Sequence, residues 1–371
     1  MKTMLLISKN ENGMILVLIL TFLAILSLLG ATAVIVTSTD IKIGGNYILS
    51  QKAFYDADAG VNYTLSKIKD ETFTLPDSIG ASETPNYTVP TNFSFSISPI
   101  LMVDKNIYTF SSTGGASGDK EASIKLIFSK ISIPTDVDSS IGIYGSDPEV
   151  EIKGNAIIDG RNHDVPANFI CSGSGCNGSL SGGNEVPGIY TTNTADLDGV
   201  KTSGENQNVF GTPEVQIGGG NHTGQSWQDL ANDLIPMADL TFDKDGTISG
   251  SQTLGTRDMP KITVIDGKAK SSGTVHGAGI LIVKDEVKFE GNFHFEGLII
   301  ILNNSGADSD AELCFKKAGR KNLFGAIIVA GNSDSEIEIE GDTHISYSSE
   351  ALINVKDKLN TTKTLSWQTP L

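Results

Sequence analysis

The sequence predicts a mainly β protein led by one long α-helix: the helix first, then a small antiparallel sheet, then a parallel β-helix (a solenoid). Three observations predict it. Met14 to Val36 is an unbroken run without a charge. Period-two alternation governs much of residues 92–131. Towards the C-terminal end a glycine-bearing template recurs, first at Gly273 and again at Gly291. The expected boundaries are residues 1–13 as a leader, 14–70 as helix with a membrane span at 14–36, 71–134 as the antiparallel region, and 135–371 as the β-helix.

The apolar run is long enough to cross a hydrocarbon layer of about 30 Å as one helix. A secretory signal has a shorter apolar core with small residues behind it; here Gly13 stands in front. Beyond Val36, the positions Ile41, Leu49, Ala53, Ala57, Val61, Leu65 and Ile68 recur at threes and fours, the signature of one helix face. Asp40, Lys42, Gln51, Lys52, Asp56 and Asp58 are expected off that stripe. Gly44–Gly45 cost about 1 kcal/mol each and mark an expected bend.

The leader, with Lys2, Lys9, Glu11 and Gly13, resembles that of a prepilin cut between Gly13 and Met14. The string Ala53-Phe54-Tyr55-Asp56-Ala57-Asp58-Ala59-Gly60 resembles the A-F-x-x-A-[ED]-A-G motif of the PilX N-terminal family of type IV pilus assembly proteins. The matching positions are Ala53, Phe54, Ala57, Asp58, Ala59 and Gly60. The resemblance covers about residues 10–70 and implies a pilin-like helix packed on a small sheet, processing by a prepilin peptidase, and other pilins and pilus or secretion assembly proteins as partners. One position departs from it. Bulk pilin subunits carry a glutamate at the fifth mature position, which here is Leu18. A lone charged partner inside a filament is costly, so Leu18 points to a low-copy, minor-pilin-like role.

The lysines of the leader predict a cytoplasmic N-terminus, hence a single-pass protein of a bacterial inner membrane with its C-terminal region periplasmic or displayed on a pilus. Net charge is −17 and the only arginines are Arg161, Arg257 and Arg320. Such a chain has little with which to neutralise phosphates, so no nucleic-acid partner is expected. Of three cysteines, Cys171 and Cys176 bracket Ser-Gly-Ser-Gly, a loop that a disulfide could close. Cys314 reads as a small buried residue.

Residues Asn92–Ser98, Ile107–Phe110 and Ser123–Ile131 alternate, separated by turn formers, and read as an antiparallel meander. Further on, Gly273–Val283 aligns with Gly291–Ile301. Gly319–Val329 follows after a longer step, with extra residues around Asn303–Glu312. The shared template is G-x-x-[HN]-x-x-G-[ILA]-[LI]-I-[VI]. The step from Gly273 to Gly291 fits one turn of a parallel β-helix, with His276, His294 and Asn322 in equivalent places. Weaker rungs are Val150–Lys153, Ala156–Asp159, Val215–Ile217, Ile337–Ile339 and His344–Tyr347. Gln225–Met237, with Trp227, Leu230, Leu234 and Ile235, reads as a short amphipathic helix inserted in the stack or covering one end.

No G-x-S-x-G, H-E-x-x-H or P-loop is present, and no enzyme activity is expected. Asp159, Arg161, His163 and Asp164 are the candidates for glycan chemistry; a solvated turn has the same composition. Asp243–Ile248 mimics part of an EF-hand loop, but Thr241 and Gln252 stand where the first and last ligands belong, so it reads as a turn. Asp308, Asp310 and Glu312 could bind calcium. Otherwise neither cofactor nor metal is expected. The expected role is a membrane-anchored minor pilin or pseudopilin that assembles into or primes a type IV pilus or secretion pseudopilus. The alternatives are a surface adhesin or carbohydrate-binding module on an anchor, and a glycan-active β-helix enzyme.

Overall fold

The computed structural model describes residues 11–70, 72–86, 88–116, 120–145, 148–168, 178–192, 208–242, 247–302, 311–316, 318–331, 335–359 and 361–369. The chain divides into two compact units, residues 1–129 with 364–371, and residues 130–363.

A single helix, α1 (Glu11–Lys69), leads the first unit. It is long and apolar enough to cross a membrane, and the side chains of its apolar stretch are exposed. Two threonine hydroxyls within that stretch are satisfied locally. Thr21 donates to the Val17 carbonyl at 2.7 Å and Thr32 to the Leu28 carbonyl at 3.0 Å, the arrangement an apolar medium demands. Helical geometry continues through Gly44–Gly45, so the pair does not end the helix. Burial begins only at Ala53; Ile41, on the same expected stripe, is exposed. Asp56 is a correction to the sequence reading. Three residues after Ala53 and four before Gly60, it lies on the packed face, and only 5 % of it is exposed.

The sheet of this unit runs in the order Ser82–Glu83, Ile100–Asp104, Ile107–Ala116, Lys120–Lys130, Thr362–Gln368, with Phe95–Ile97 on the strand Ile107–Ala116. Its pairings among residues 82–130 are antiparallel. The alternation thus reports strands faithfully, though Asn92–Ser98 yields only Phe95–Ile97 and Ile107–Phe110 extends to Ala116. Ile100, Met102, Phe110, Ile124, Leu126 and Phe128 turn inward against Ala57, Val61 and Ile68. The strand Thr362–Gln368 departs from the expected extent of the last domain. Placed by sequence in 135–371, it joins the antiparallel sheet instead, because a period-two pattern fits either sheet and names no partner.

The second unit is a large curled parallel sheet. Its strands pair with those one repeat on, in the predicted register. Thr274–Val283 pairs with Asn292–Ile301 through His276 opposite His294 and Gly279 opposite Gly297. Asn292–Ile301 pairs with Arg320–Val329 through His294 opposite Asn322 and Gly297 opposite Gly325. Successive side chains point to opposite faces, and here both faces are buried. Leu281, Ile299 and Ile327 enter one apolar cluster with Phe289, Phe295 and Phe315. Ile280, Leu298, Ile300 and Ile328 enter another. This explains why the strands read as continuous apolar runs rather than alternating ones. Gly279, Gly297 and Gly325 stack with φ of 135°, 135° and 137°. A Cβ on Gly325 would lie 1.9 Å from the Gly297 carbonyl oxygen, so the template's second glycine is obligatory.

The order of the stack is not the order of the chain. Ile141–Ile143 pairs with Arg320–Val329, and both Pro148–Gly154 and Ile157–Asp159 pair with Ser335–Tyr347. The earliest strands of this unit therefore lie against its last ones, and Ile189–Thr191 and Val215–Ile217 extend the sheet beyond them.

Helix α2 (Gly224–Leu234) and the 3-10 turn Ile235–Met237 occupy the predicted segment. Thr223 and Ser226 cap it reciprocally. It covers a face, not an end: Trp227, Leu230, Ala231 and Leu234 pack with Ile262, Ile280 and Ile328. A further helix, α3 (Ser349–Lys358), brings Leu352 and Val355 to the same cluster. It is absent from the sequence reading although Ser348, Glu350 and the spacing of Ala351, Leu352, Val355 and Leu359 signal it.

Candidate functional site

The segment that bears the motif is a seam between α1 and strand Ile107–Ala116. Ala53, Ala57 and Gly60 face the strand and are buried; Phe54 is 38 % exposed, and Asp58 and Ala59 are half-buried. The strand contributes a glycine of its own. A Cβ on Gly114 would lie 2.1 Å from the Ala53 carbonyl oxygen and 2.3 Å from the Ala57 nitrogen. A Cβ on Gly60 would lie 2.2 Å from Ser112 Oγ. Small residues are therefore required on both sides, and the motif's Ala-x-x-x-Ala-x-x-Gly spacing is the footprint of a helix backbone laid against a strand. Thr64 Oγ1, also buried, donates to the Gly60 carbonyl at 2.8 Å. Asp56 Oδ2 and Ser112 Oγ are buried here without a hydrogen-bond partner. Nothing in the sequence pattern marked them, because a carboxylate beside a motif reads as solvated.

The processing candidates lie at the start of the same helix. The Gly13–Met14 bond falls within α1, Met14 is 70 % exposed and Leu18 is 65 % exposed.

In the second unit, the structure brings three of the four glycan-chemistry candidates together. Arg161 clamps Asp159 with Nε 2.9 Å from Oδ1 and Nη2 2.6 Å from Oδ2, and stacks over Phe210. His163 Nε2 lies 3.0 Å from Asp159 Oδ2. Burial alone would raise the Asp159 pKa; His163 and Arg161 outweigh it and hold the carboxyl well below the usual range. An acid fixed as a carboxylate between two partners has no proton to give. Asp164 stands apart and accepts from Ser179 Oγ at 3.0 Å.

The predicted equivalence of His276, His294 and Asn322 holds and extends. Thr253, His276, His294, Asn322 and His344 lie opposite one another across five strands. Thr253 Oγ1 is hydrogen bonded to His276 Nε2 at 2.8 Å, and His294 Nε2 to Glu296 Oε1 at 3.0 Å. Burial lowers the pKa of His276, with His294 adding to it, and of His344 despite the Asp342 carboxylate 3.3 Å away. This is a ladder of polar groups in register, and among the described residues no three His, Cys, Asp or Glu are placed to hold a metal ion. Cys171, Cys176, Asp308 and Asp310, with the start of Asp243–Ile248, lie outside the described residues. Glu312 pairs with Lys288 and accepts the Cys314 thiol at 2.7 Å. Burial, then Glu312, pushes that thiol's pKa up, so Cys314 is an inert core residue.

Sequence reasoning missed the Glu296–Arg257 pair. Glu296, 2 % exposed, receives Arg257 Nε at 2.5 Å and Nη2 at 2.6 Å. The two are 39 residues apart, and no local pattern links them. They sit at the base of a cleft of about 700 Å³ beside α3.

Residues 12–62 match the model of the PilX N-terminal family. Over these residues the chain resembles the type IV pilus assembly proteins of that family. The matched segment takes in both the apolar run and the seam motif; the parallel-sheet unit lies outside it. A crystal structure of the competence-associated pilin ComZ from Thermus thermophilus aligns over 87 % of this chain and 98 % of its own, at 11 % identity and a TM-score of 0.23. That superposition is too loose to bear on fold or role. No curated protein matches by sequence.

Proposed function

We propose that this protein is a low-copy, membrane-anchored minor pilin or pseudopilin that assembles into or primes a type IV pilus or secretion pseudopilus. One observation carries the reading: the family match at residues 12–62 coincides with an exposed apolar helix running into a glycine-and-alanine seam. The helix anchors the chain in the bacterial inner membrane after prepilin peptidase removes residues 1–13, and inside a filament it packs with other pilins. The C-terminal region lies outside the cytoplasm, where Cys171 and Cys176 form a disulfide. Its parallel sheet is a β-helix, a reading supported by the stacked glycines and by strands that pair with those one repeat on. Its task is presentation, not catalysis, in keeping with Asp159 being spent on Arg161 and His163. It needs no resident cofactor; calcium at Asp308, Asp310 and Glu312 is the one exception worth assaying.

Leu18 sets the copy number. Quantitative proteomics of sheared filaments should find this chain far below the bulk subunit, and a Leu18→Glu variant should change its incorporation. Finding this chain as the most abundant filament subunit contradicts the proposal.

A further inference from the structure

Beyond that role, the cleft beside α3 offers a binding site. One wall is a single face of α3: Glu350, Ile353, Asn354 and Asp357 follow the i, i+3, i+4, i+7 spacing and all line it. The other wall comes from Asn162, Asp164, Val165, Ser181, Gly182 and Gly183. Hydrogen bonds hold the walls together. Asn162 Nδ2 donates to Ser349 Oγ and Asn162 Oδ1 accepts from Ser349 N, both at 2.9 Å, and Val165 N donates to Glu350 Oε2 at 2.9 Å. At the base, Glu296 and Arg257 are locked together, and Arg257 also donates to the carbonyls of Pro166 and Ala167. A cleft of about 700 Å³ is within the range of about 300–1,000 Å³ usual for ligand sites.

Charge identifies the occupant. Five carboxylates line the cleft against two cations, Arg257 and Lys358. Both cations are engaged, Arg257 with Glu296 and Lys358 with Asp258 and the Arg257 carbonyl. Among the described residues, the hydrogen bonds to the Asp164 and Glu350 carboxylates come from neutral donors, Ser179 and Val165, and neither carboxylate is in an ion pair. Among these carboxylates Ile353 is 48 % exposed, an apolar surface of the kind an alkyl stem covers while its charged head reaches past. Lys358 shows the mode in miniature, its Nζ 2.9 Å from a carbonyl and 3.3 Å from a carboxylate at the rim. A second copy of a chain with net charge −17 and three arginines is a poor complement. We propose that the cleft docks a lysine- or arginine-bearing segment of a partner protein, alkyl stem on Ile353 and cation among Asp164, Glu350 and Asp357.

The test uses the full-length protein in detergent micelles and a fluorescein-labelled peptide, Gly-Leu-Lys-Leu-Arg-Gly, read by anisotropy. Saturable binding is expected, weakening as salt rises from about 50 to about 300 mM. The double variant Asp164→Asn/Asp357→Asn should weaken it about tenfold, and Asp357→Asn alone, a neutralisation at an exposed site, severalfold. Asp266→Asn, away from the cleft, should leave it unchanged. Equal binding of a peptide with glutamine in place of Lys and Arg overturns the proposal, as does undiminished binding by the cleft variants. Displacement by equimolar cadaverine also overturns it, since the site would then take free amines rather than a protein segment.

Discussion

The α1 seam and the stacked parallel strands solve the same steric problem in opposite ways. In the seam, small residues come from two elements far apart in sequence: Ala53, Ala57 and Gly60 from the helix, Gly114 from the strand. In the parallel sheet, both glycines of each repeat meet their own equivalents in the next strand, Gly279 on Gly297 on Gly325 and Gly273 on Gly291 on Gly319. The seam is thus made by complementarity between unlike elements, and the stack by self-complementarity of a repeated one. The difference predicts where damage spreads. A fault in the seam frees one helix from one sheet, whereas a fault in the stack is felt by both neighbouring strands.

The largest effect should come from Gly297→Val. A Cβ there would lie 2.1 Å from the Gly279 carbonyl oxygen, at a φ of 135° that β-branched residues avoid. The loss should be about 4 kcal/mol or more, read as insoluble protein or a collapsed denaturation midpoint. Wild-type-like stability would mean that the strands do not stack as described.

Gly114→Val should cost less, about 1–3 kcal/mol as overpacking, and act locally. Hydrogen exchange should quicken across Ala53–Ile68 while Ile280–Val283 and Leu298–Ile301 stay protected. Equal loss of protection in both units would erase the distinction between them.

The smallest effect is one of pH. Lys321 is 1 % exposed, its Nζ held by the carbonyls of Lys316, Ala318 and Gly319. Burial lowers its pKa to about 8, below the unfolded value of about 10.4. Between those values the unfolded chain binds more protons, so stability should rise with pH from about 8 to about 10.4, and Lys321→Met should flatten the rise. Parallel profiles in the parent and in Lys321→Met would place Lys321 in solvent. Asp159 gives the same sign in the acid range. Its depressed pKa supplies stability that is present above about pH 4 and lost on acidification.

The same contrast explains what the sequence made legible. A repeat announces its own partner, so the recurring glycine template already contained the register of His276 with His294. The family motif likewise announced the helix side of the seam. The strand side was not legible, because Gly114 looks like any turn glycine until Ala53 lies on it. Nor was the closure of the stack: Ile141–Ile143 finds Ile327–Val329 across most of the unit, and neither segment differs from any other short apolar strand. Thr362–Gln368 returned to the antiparallel sheet for the same reason. Arg257 and Glu296, Asp56 and Ser112, and the walls of the cleft are products of folding, visible only once distant segments meet.

Everything proposed for the role of this protein depends on α1 beginning life as a prepilin helix, and the N-terminus of the protein recovered from its own cell envelope decides whether it does. Mass spectrometry should find Met14 as the first residue, with a methylated amine and the apolar run intact. A retained leader, or a cut behind Val36, would contradict that origin.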